Sequence, residues 1–300
     1  IPMTLAQMVN LLYNIVDRMY IGRIPGTGDL ALTGLGICFP IIMILNAFAN
    51  LFGMGGAPLF SMERGAGNDE EAGRLMGTSF AMLLTTGAGL MGVCLLFLRP
   101  ILYLFGASDI TYPFARDYAV IYLCGTLFVM VSLGMNGFIN AQGFGRTGMM
   151  TSLLGAAVNI ALDPLPIFGL DLGVRGAAIA TVTGYMIPAV IGLVYFSYAR
   201  SSLWLVRPRM EKGELKDTCI NGSSEMVTNL SSGIITFLFN LAMMHFAGED
   251  GVAAITIIQY SQFLLNALFM GFSQGVSPVI SFNYGSRNQE QLRQVFKTSL

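Results

Sequence analysis

The most restrictive feature of this sequence is a succession of apolar runs, each long enough to cross a membrane as a helix. A membrane-spanning helix needs about 20 mainly apolar residues. The chain contains runs of this kind near residues 1–22, 31–60, 75–98, 117–142, 149–169, 175–199, 222–247 and 252–280, and a ninth begins near Arg293. Only 11% of the residues are charged, against about 25% in soluble domains. The sequence therefore predicts an all-α integral membrane protein.

Two less apolar stretches interrupt this succession. Residues 99–116 contain two prolines, which favours an interfacial connection and not a span. Arg200–Asp217 is the one long polar linker. We expect this linker to separate an N-terminal lobe, residues 1–199, from the start of a C-terminal lobe, residues 218–300.

The distribution of Lys and Arg predicts the orientation in the membrane. The loops that follow even-numbered spans, together with the linker, hold Arg64, Arg74, Arg146, Arg200, Arg207, Arg209, Lys212, Lys216, Arg287, Arg293 and Lys297. The opposite side holds Arg18, Arg23, Arg99, Arg116 and Arg175. Because basic residues concentrate on the cytoplasmic side, we expect a multi-pass protein of the inner (plasma) membrane with a cytoplasmic N-terminus.

An internal repeat supports the division into lobes. A shift of 220 residues places Gly28–Ser79 on Gly248–Ser299 without a gap, and 14 of the 52 aligned positions are identical. One period holds six predicted spans, so both copies have the same orientation, as in a parallel repeat. We therefore expect two six-helix lobes, with twelve helices in the full protein and about eight and a half in this chain. Native residues are expected beyond both ends, and the second lobe is expected to end near residue 440.

A carboxylate in the apolar segment 157–181 points to function. Asp163 has apolar neighbours on both sides, although a charged side chain at a helix centre costs about 2.5–3.5 kcal/mol on membrane insertion scales. Asn159 precedes it by four residues and shares its helix face. Pro164 follows and frees a backbone carbonyl one turn earlier. Two readings stay open: Asp163 caps a short helix break, or it forms a cation or proton site.

Three runs of sequence carry a resemblance to a known family. NIVDRMYIGRIPGTGDLALTGLGICFP, NIALDPLPIFGLDLGVRGAAIAT and GFSQGVSPVISFNYGSRN resemble the multidrug and toxic compound extrusion (MATE) transporters, and most closely their bacterial DinF-like and MepA-like branch. The resemblance implies a two-lobed, twelve-helix exporter that exchanges drugs for protons or sodium. It also implies a site and a relay, made of Asp17, Asn159, Asp163 and Thr181 for the site and of Tyr13 and Asn136 for the relay.

The chemistry of these side chains allows two coupling ions. Burial and a like-charged neighbour both favour the protonated form of a carboxyl group, so Asp17 and Asp163 could carry a proton. Oxygens from Asp, Asn and Thr also suit a hard cation such as Na⁺. The sequence leaves H⁺ and Na⁺ open. Glu225 lies in the run NGSSEMV, which departs from the family pattern, and is not equated with an acid of the second lobe.

Other functional classes fit the sequence less well. The net charge of −1 provides no basic field for nucleic acid. There is no GxxxxGK[ST] phosphate loop, and the single histidine and four scattered cysteines argue against an enzyme, a resident metal or a cofactor. A flippase for lipid-linked precursors, the alternative function, would need Arg or Lys in its cavity. The expected partners are small organic drugs or metabolites, often lipophilic cations, and membrane lipids, and a monomer is expected.

We predict that Arg200–Asp217 and the Glu63–Arg74 loop are cytoplasmic, whereas Ile24–Asp29 and Leu170–Val174 face outward. Single cysteines in a cysteine-free background can be treated with a membrane-impermeant thiol reagent in intact cells. Only the second pair of segments should then react. Labelling of a cysteine at Lys212 from outside would reverse the orientation.

Overall fold

The computed structural model describes residues 2–198 and 212–299, and within these ranges it contains helices and no strand. The helices are α1 (Pro2–Gly22), α2 (Gly28–Gly65), α3 (Asp69–Leu96), α4 (Leu98–Leu104), α5 (Tyr112–Cys124), α6 (Thr126–Ala141), α7 (Gly145–Leu162), α8 (Val174–Tyr198), α9 (Lys212–Gly285) and α10 (Gln289–Ser299), with a π-helical segment at Leu165–Gly169 between α7 and α8.

Most of these helices are long and apolar enough to cross a membrane. Five described segments meet that requirement, and a sixth does if the bent pair α5 and α6 is one span. The five are Gly28–Gly65, Asp69–Leu96, Gly145–Gly169, Val174–Phe196 and Ser261–Gly285. The predicted all-α membrane fold is confirmed.

Helix α1 matches the first predicted span in its bounds but is not among these five segments. Its sequence, PMTLAQMVNLLYNIVDRMYIG, contains amides and a charged pair among the apolar residues. Several of these polar side chains, including Gln7 and Asn10, face a cavity and not lipid. The hydropathy of α1 is therefore low because several of its polar side chains line the cavity.

The predicted span 117–142 is two helices. Helices α5 and α6 meet at Gly125 with a bend of 57°. A Cβ atom at Gly125 would lie 2.5 Å from Val182 Cγ1 of α8, so the close approach of α8 needs glycine at this point. The region 99–116, predicted as an interfacial connection, contains the short helix α4 and the first residues of α5.

The described part of the chain that follows α8 begins with a helical element that reverses its direction. Residues 200–211 of the predicted linker lie outside the described residues, and residues 212–217 form the first turns of α9. The two predicted spans 222–247 and 252–280 belong to this one 74-residue helical element. Asn221 Nδ2 donates to Gly55 O at 2.8 Å, and Gln274 Nε2 donates to Met54 Sδ at 3.8 Å. A straight helix would place residues 221 and 274 about 80 Å apart, so α9 doubles back between them.

The turn after α2 and the turn after α9 have the same backbone geometry. Gly67 and Arg287, which are 220 residues apart, both adopt positive φ, at 82° and 55°. Asn68 N donates to Glu63 O at 2.9 Å, and Asn288 N donates to Asn283 O at 3.0 Å. The repeat found in the sequence is therefore present in the backbone, even where glycine in one copy is arginine in the other.

Helices α2 and α9 also contact each other through equivalent positions. Gly65 lies against the carbonyl oxygen of Phe282, and Gly285 lies against that of Met62. Each contact becomes the other on a shift of 220 residues. Met54 and Gln274, which are in contact, are themselves an equivalent pair. A pseudo-two-fold axis therefore passes between α2 and the last part of α9, beside Met54 and Gln274.

The apolar core of the first lobe forms two clusters. One cluster contains Ile21, Tyr118 and Ile167, and the other contains Phe60 and Phe138, whose rings meet edge to face at 5.6 Å. Tyr118 and Ile167 lie next to the acidic residues described below, which places those acids in an apolar environment.

We predict that Gly65→Val or Gly285→Val lowers the free energy of unfolding by about 1–3 kcal/mol, because the added atoms meet backbone oxygen of the opposite helix. Thermal unfolding of the purified protein in detergent measures the change. Gly89→Ala is the control, since a Cβ atom there has nothing within 4 Å. Equal unfolding temperatures for Gly65→Val and Gly89→Ala would contradict the close α2–α9 contact.

Candidate functional site

The candidate functional site is centred on the helix break between the end of α7 and the π-helical segment Leu165–Gly169. Asp163, which follows the last residue of α7, still donates its N–H to Asn159 O at 2.9 Å. Pro164 has no N–H to donate to the carbonyl of Ile160. The chain continues as a π-helical turn, in which Leu170 N donates to Leu165 O at 2.9 Å. The break holds the Asp163 side chain fully buried, with 0% of its surface exposed.

Helix α8 packs closely on this break. A Cβ atom at Gly176 would lie 2.7 Å from Ile167 N, and one at Gly184 would lie 3.0 Å from Asn159 Cβ. These two glycines let α8 approach both the π-helical turn and the end of α7. Thr181, between the two glycines, is thereby brought to the same buried region as Asn159.

The second carboxylate is on α1. Asp17 is 7% exposed and lies close enough to Asp163 for the two groups to interact electrostatically. The structure therefore brings together four of the predicted site residues: Asp17, Asn159, Asp163 and Thr181.

These four side chains leave many polar atoms without partners. Asp17 Oδ1, both carboxylate oxygens of Asp163, both amide atoms of Asn159 and Thr181 Oγ1 are buried and have no hydrogen bond within the described residues. Buried polar atoms are normally satisfied, and an unsatisfied group costs about 1–3 kcal/mol. Such a cluster of oxygen atoms fits protons on the carboxylates or a hard cation between them. No group of three or more His, Cys, Asp or Glu side chains suited to a metal occurs in the described part of the chain, so Asn159 and Thr181 would have to complete a cation site.

A group of tyrosines surrounds the acids. Tyr13 is one turn before Asp17, and its hydroxyl lies 2.9 Å from that of Tyr185 in α8. The rings of Tyr118 and Tyr122 stack with their centroids 5.9 Å apart. Both residues are close enough to Tyr185 for an electrostatic interaction. Of these four tyrosines, Tyr13 is predicted from the sequence and the other three are not. The four-residue spacing of Tyr118 and Tyr122 was the one available signal, because it places both rings on one helix face.

Asn136 lies apart from the acids. Its Nδ2 donates to Gly148 O at 3.1 Å and to the hydroxyls of Thr151 and Ser152, both at 3.3 Å. These partners are in the first turns of α7, whereas Asn159 and Asp163 are at its other end. The structure thus places Asn136 about two turns, or ~10 Å, from Asn159 along α7.

A cavity of about 160 Å³ connects these residues. Its wall includes four predicted site residues, Tyr13, Asn136, Asn159 and Thr181, while Asp17 and Asp163 lie behind the wall. The lining is rich in amides: Gln7, Asn10, Asn50, Asn136, Asn140, Asn159 and Gln274. Among the described residues that line it, none carries a charge. The cavity therefore offers neutral hydrogen-bonding groups to a guest and places negative charge behind them.

Two further polar residues of α9 lie elsewhere. Glu225 is partly buried and does not line this cavity. His245 is exposed and lies next to Phe246, with ring centroids 5.2 Å apart. Neither side chain contributes to the site formed by the first lobe.

The sequence of this chain matches a protein-family model and a curated bacterial protein. The family model MatE matches residues 2–165 and 226–300. The multidrug export protein MepA of Staphylococcus haemolyticus (strain JCSC1435) is 26% identical over 303 residues, which cover 99% of this chain and 65% of MepA. The chain thus spans about 65% of the length of this curated relative.

Solved structures show the same fold. A crystal structure of MATE in complex with MaD3S superposes with a TM-score of 0.92 at 26% identity, covering 99% of this chain and 67% of the other. An outward-facing conformation of a multidrug resistance MATE family transporter of the MOP superfamily also gives 0.92, at 25% identity, covering 99% of this chain and 66% of the other. The resemblance predicted from the sequence is confirmed.

Proposed function

The chain belongs to the MatE family, and we propose that the protein is a secondary active antiporter that exports small organic compounds in exchange for H⁺ or Na⁺. The observation that carries the proposal is the cluster of unpartnered polar atoms around two buried carboxylates, next to an amide-lined cavity whose wall includes Asn159 and Thr181. Such an arrangement can hold an ion and a guest near each other without direct contact. The proposal concerns the whole protein, including the second lobe of a twelve-helix architecture.

The two carboxylates provide a physical basis for coupling. Two negative charges in an apolar environment repel each other, so the pair is most stable when it holds at least one proton or one cation. A cationic guest in the neighbouring cavity favours the ionised pair, and ion uptake weakens the attraction for that guest. Ion entry from outside would therefore promote guest release, and guest binding from the cytoplasm would promote ion release.

The residues around the acids have distinct proposed roles. Asn159 and Thr181 would supply neutral oxygens to the ion, and Tyr13 with Tyr185 would form the hydroxyl pair between Asp17 and the cavity. Asn136 would act at the cavity wall near the start of α7 and not at the carboxylates. The compounds favoured by such a cavity are lipophilic cations, because the charge nearest to it is negative.

A lipid-linked-precursor flippase of the same wider superfamily is the alternative. A pyrophosphate group would need Arg or Lys to compensate its charge. The described lining of the cavity contains neither, and buried acids lie behind it. We therefore favour export of organic compounds by a monomeric protein of the inner membrane, with its N-terminus in the cytoplasm.

We predict that Asp163→Asn abolishes ion-driven export while the protein folds and still binds its compounds. The amide keeps the shape of the side chain but cannot ionise. Asp17→Asn should have a similar effect, and the double variant should lose little more than either single variant, because residues that act as a unit are not additive. Export is measured in proteoliposomes under imposed pH or Na⁺ gradients.

Asp29→Asn is the matched control. Asp29 is in the first turn of α2, near the predicted outer surface, and the change should leave export unaffected. If Asp163→Asn exports at the wild-type rate in a normally expressed protein, Asp163 is only a cap for the helix break.

We predict that Asn159→Ala and Thr181→Ala distinguish the coupling ions. If Na⁺ is coordinated, loss of one oxygen should weaken its binding on the order of tenfold or more. If protons are carried, the same changes should slow export by only a few-fold, since Asp17 and Asp163 remain. The measurement is the Na⁺ dependence of export at fixed pH. An unchanged Na⁺ dependence in both variants would contradict sodium coordination at this site.

A further inference from the structure

Gln274 connects the two parts of the chain across the cavity. Gln7 Nε2 in α1 donates to Gln274 Oε1 in α9 at 2.9 Å. Gln274 Nε2 in turn donates to Met54 Sδ in α2 at 3.8 Å. All three side chains line the cavity. Gln274, in α9, thus forms hydrogen bonds to two helices of the first lobe, α1 and α2.

The position of this contact makes it sensitive to movement of the lobes. Met54 and Gln274 are equivalent in the repeat and lie beside the pseudo-two-fold axis. Eleven residues further along, Gly65 and Gly285 form the paired contacts with Phe282 and Met62. Any motion that separates α2 from this part of α9 must therefore break the Gln274–Met54 bond as well as the glycine contacts, and the Gln7–Gln274 bond breaks if α1 moves together with α2.

The chemistry of Gln274 leaves its N–H groups poorly satisfied. A thioether is a weak hydrogen-bond acceptor, and Met54 Sδ is the acceptor of the Gln274 Nε2 bond. A carbonyl oxygen on a guest molecule would be a stronger acceptor. Because Gln7, Met54 and Gln274 all line the cavity, a guest carbonyl can compete with Met54 Sδ for the N–H of Gln274. It can also compete with Gln274 Oε1 for the N–H of Gln7.

We propose that Gln274 is a substrate-responsive contact between the lobes, which is closed when the cavity is empty and released by guests that carry a carbonyl acceptor. This inference rests on the proposed export function, and it assigns Gln274 a role in both specificity and opening. A guest with a carbonyl group forms a new hydrogen bond when the Gln7–Gln274 bond between α1 and α9 breaks. Guests of similar charge without an acceptor lack this gain.

The contact is tested first without any guest, in the full-length protein in lipid nanodiscs with the native cysteines replaced. Spin labels at Glu70→Cys and Glu290→Cys, which are exposed equivalent positions, report the distance between the two copies by pulsed electron spin resonance. Gln274→Leu should raise the ratio of long to short distances about three- to fivefold, as expected for loss of one hydrogen bond. Gln7→Leu should do the same, and it provides the test if Gln274→Leu does not fold.

The double variant Gln7→Leu/Gln274→Leu should shift the ratio no further than Gln274→Leu alone, because Gln274→Leu already removes the bond that Gln7→Leu removes. Gln291→Leu, an exposed change in α10, should have no effect. Unchanged distances in both single variants, or additive shifts in the double variant, would overturn the proposed contact.

The specificity is tested with two cations, rhodamine 6G, which has an ester carbonyl, and tetraphenylphosphonium, which has no acceptor. Gln274→Leu should weaken binding of rhodamine 6G about three- to fivefold and leave binding of tetraphenylphosphonium unchanged. Equal losses for both cations would overturn the assigned role. A wild-type protein that exports neither cation would contradict the export function alone, because the distance measurement needs no guest.

Discussion

The repulsion between two carboxylates buried in an apolar lobe is the constraint on which the rest of this structure depends. Asp163 is fully enclosed and Asp17 nearly so, and the surrounding cluster of apolar side chains and tyrosine rings offers little charge compensation. The helix break at Pro164 and the close packing of α8 are arranged so that neutral oxygens, from Asn159 and Thr181, lie beside the acids. A stability-optimised protein would not keep such a group of unsatisfied atoms. We propose that the energy is recovered when the coupling ion binds.

The second organising element is the symmetric crossing of α2 and α9. The same residue positions from the two copies meet each other, so each copy presents one surface to its own equivalent, as in a two-fold dimer. Glycine on both sides allows backbone-to-backbone contact at Gly65 and Gly285. The cavity lies beside this crossing, and its wall is formed by α1, α2, α6, α7, α8 and α9. The proposed ion site, the cavity and the contact between α2 and α9 are thus within a few helical turns of one another.

The sequence predicted the parts of the structure that depend on local patterns. Apolar run length predicted the helices, Pro164 predicted the break beside Asp163, and the repeat predicted the matching turns after α2 and α9. The bend at Gly125 and the roles of Tyr122 and Tyr185 were not predicted, because they depend on which helices pack together. Long-range pairs such as Gln7 and Gln274, 267 residues apart, leave no local signal. The separation of Asn136 from the acids was hidden for the same reason.

The amide lining of the cavity has a consequence for the kind of recognition that is possible there. A primary amide presents a donor and an acceptor on one flat group, and a half turn about its last bond exchanges the two. The cavity wall contains seven such groups, which can adapt to many arrangements of donors and acceptors, unlike a rigid site shaped for one ligand. Such a wall would bind solutes of many shapes moderately well and would hold none of them tightly. Binding of many different guests and their rapid release would then both result from the amide side chains of the cavity wall.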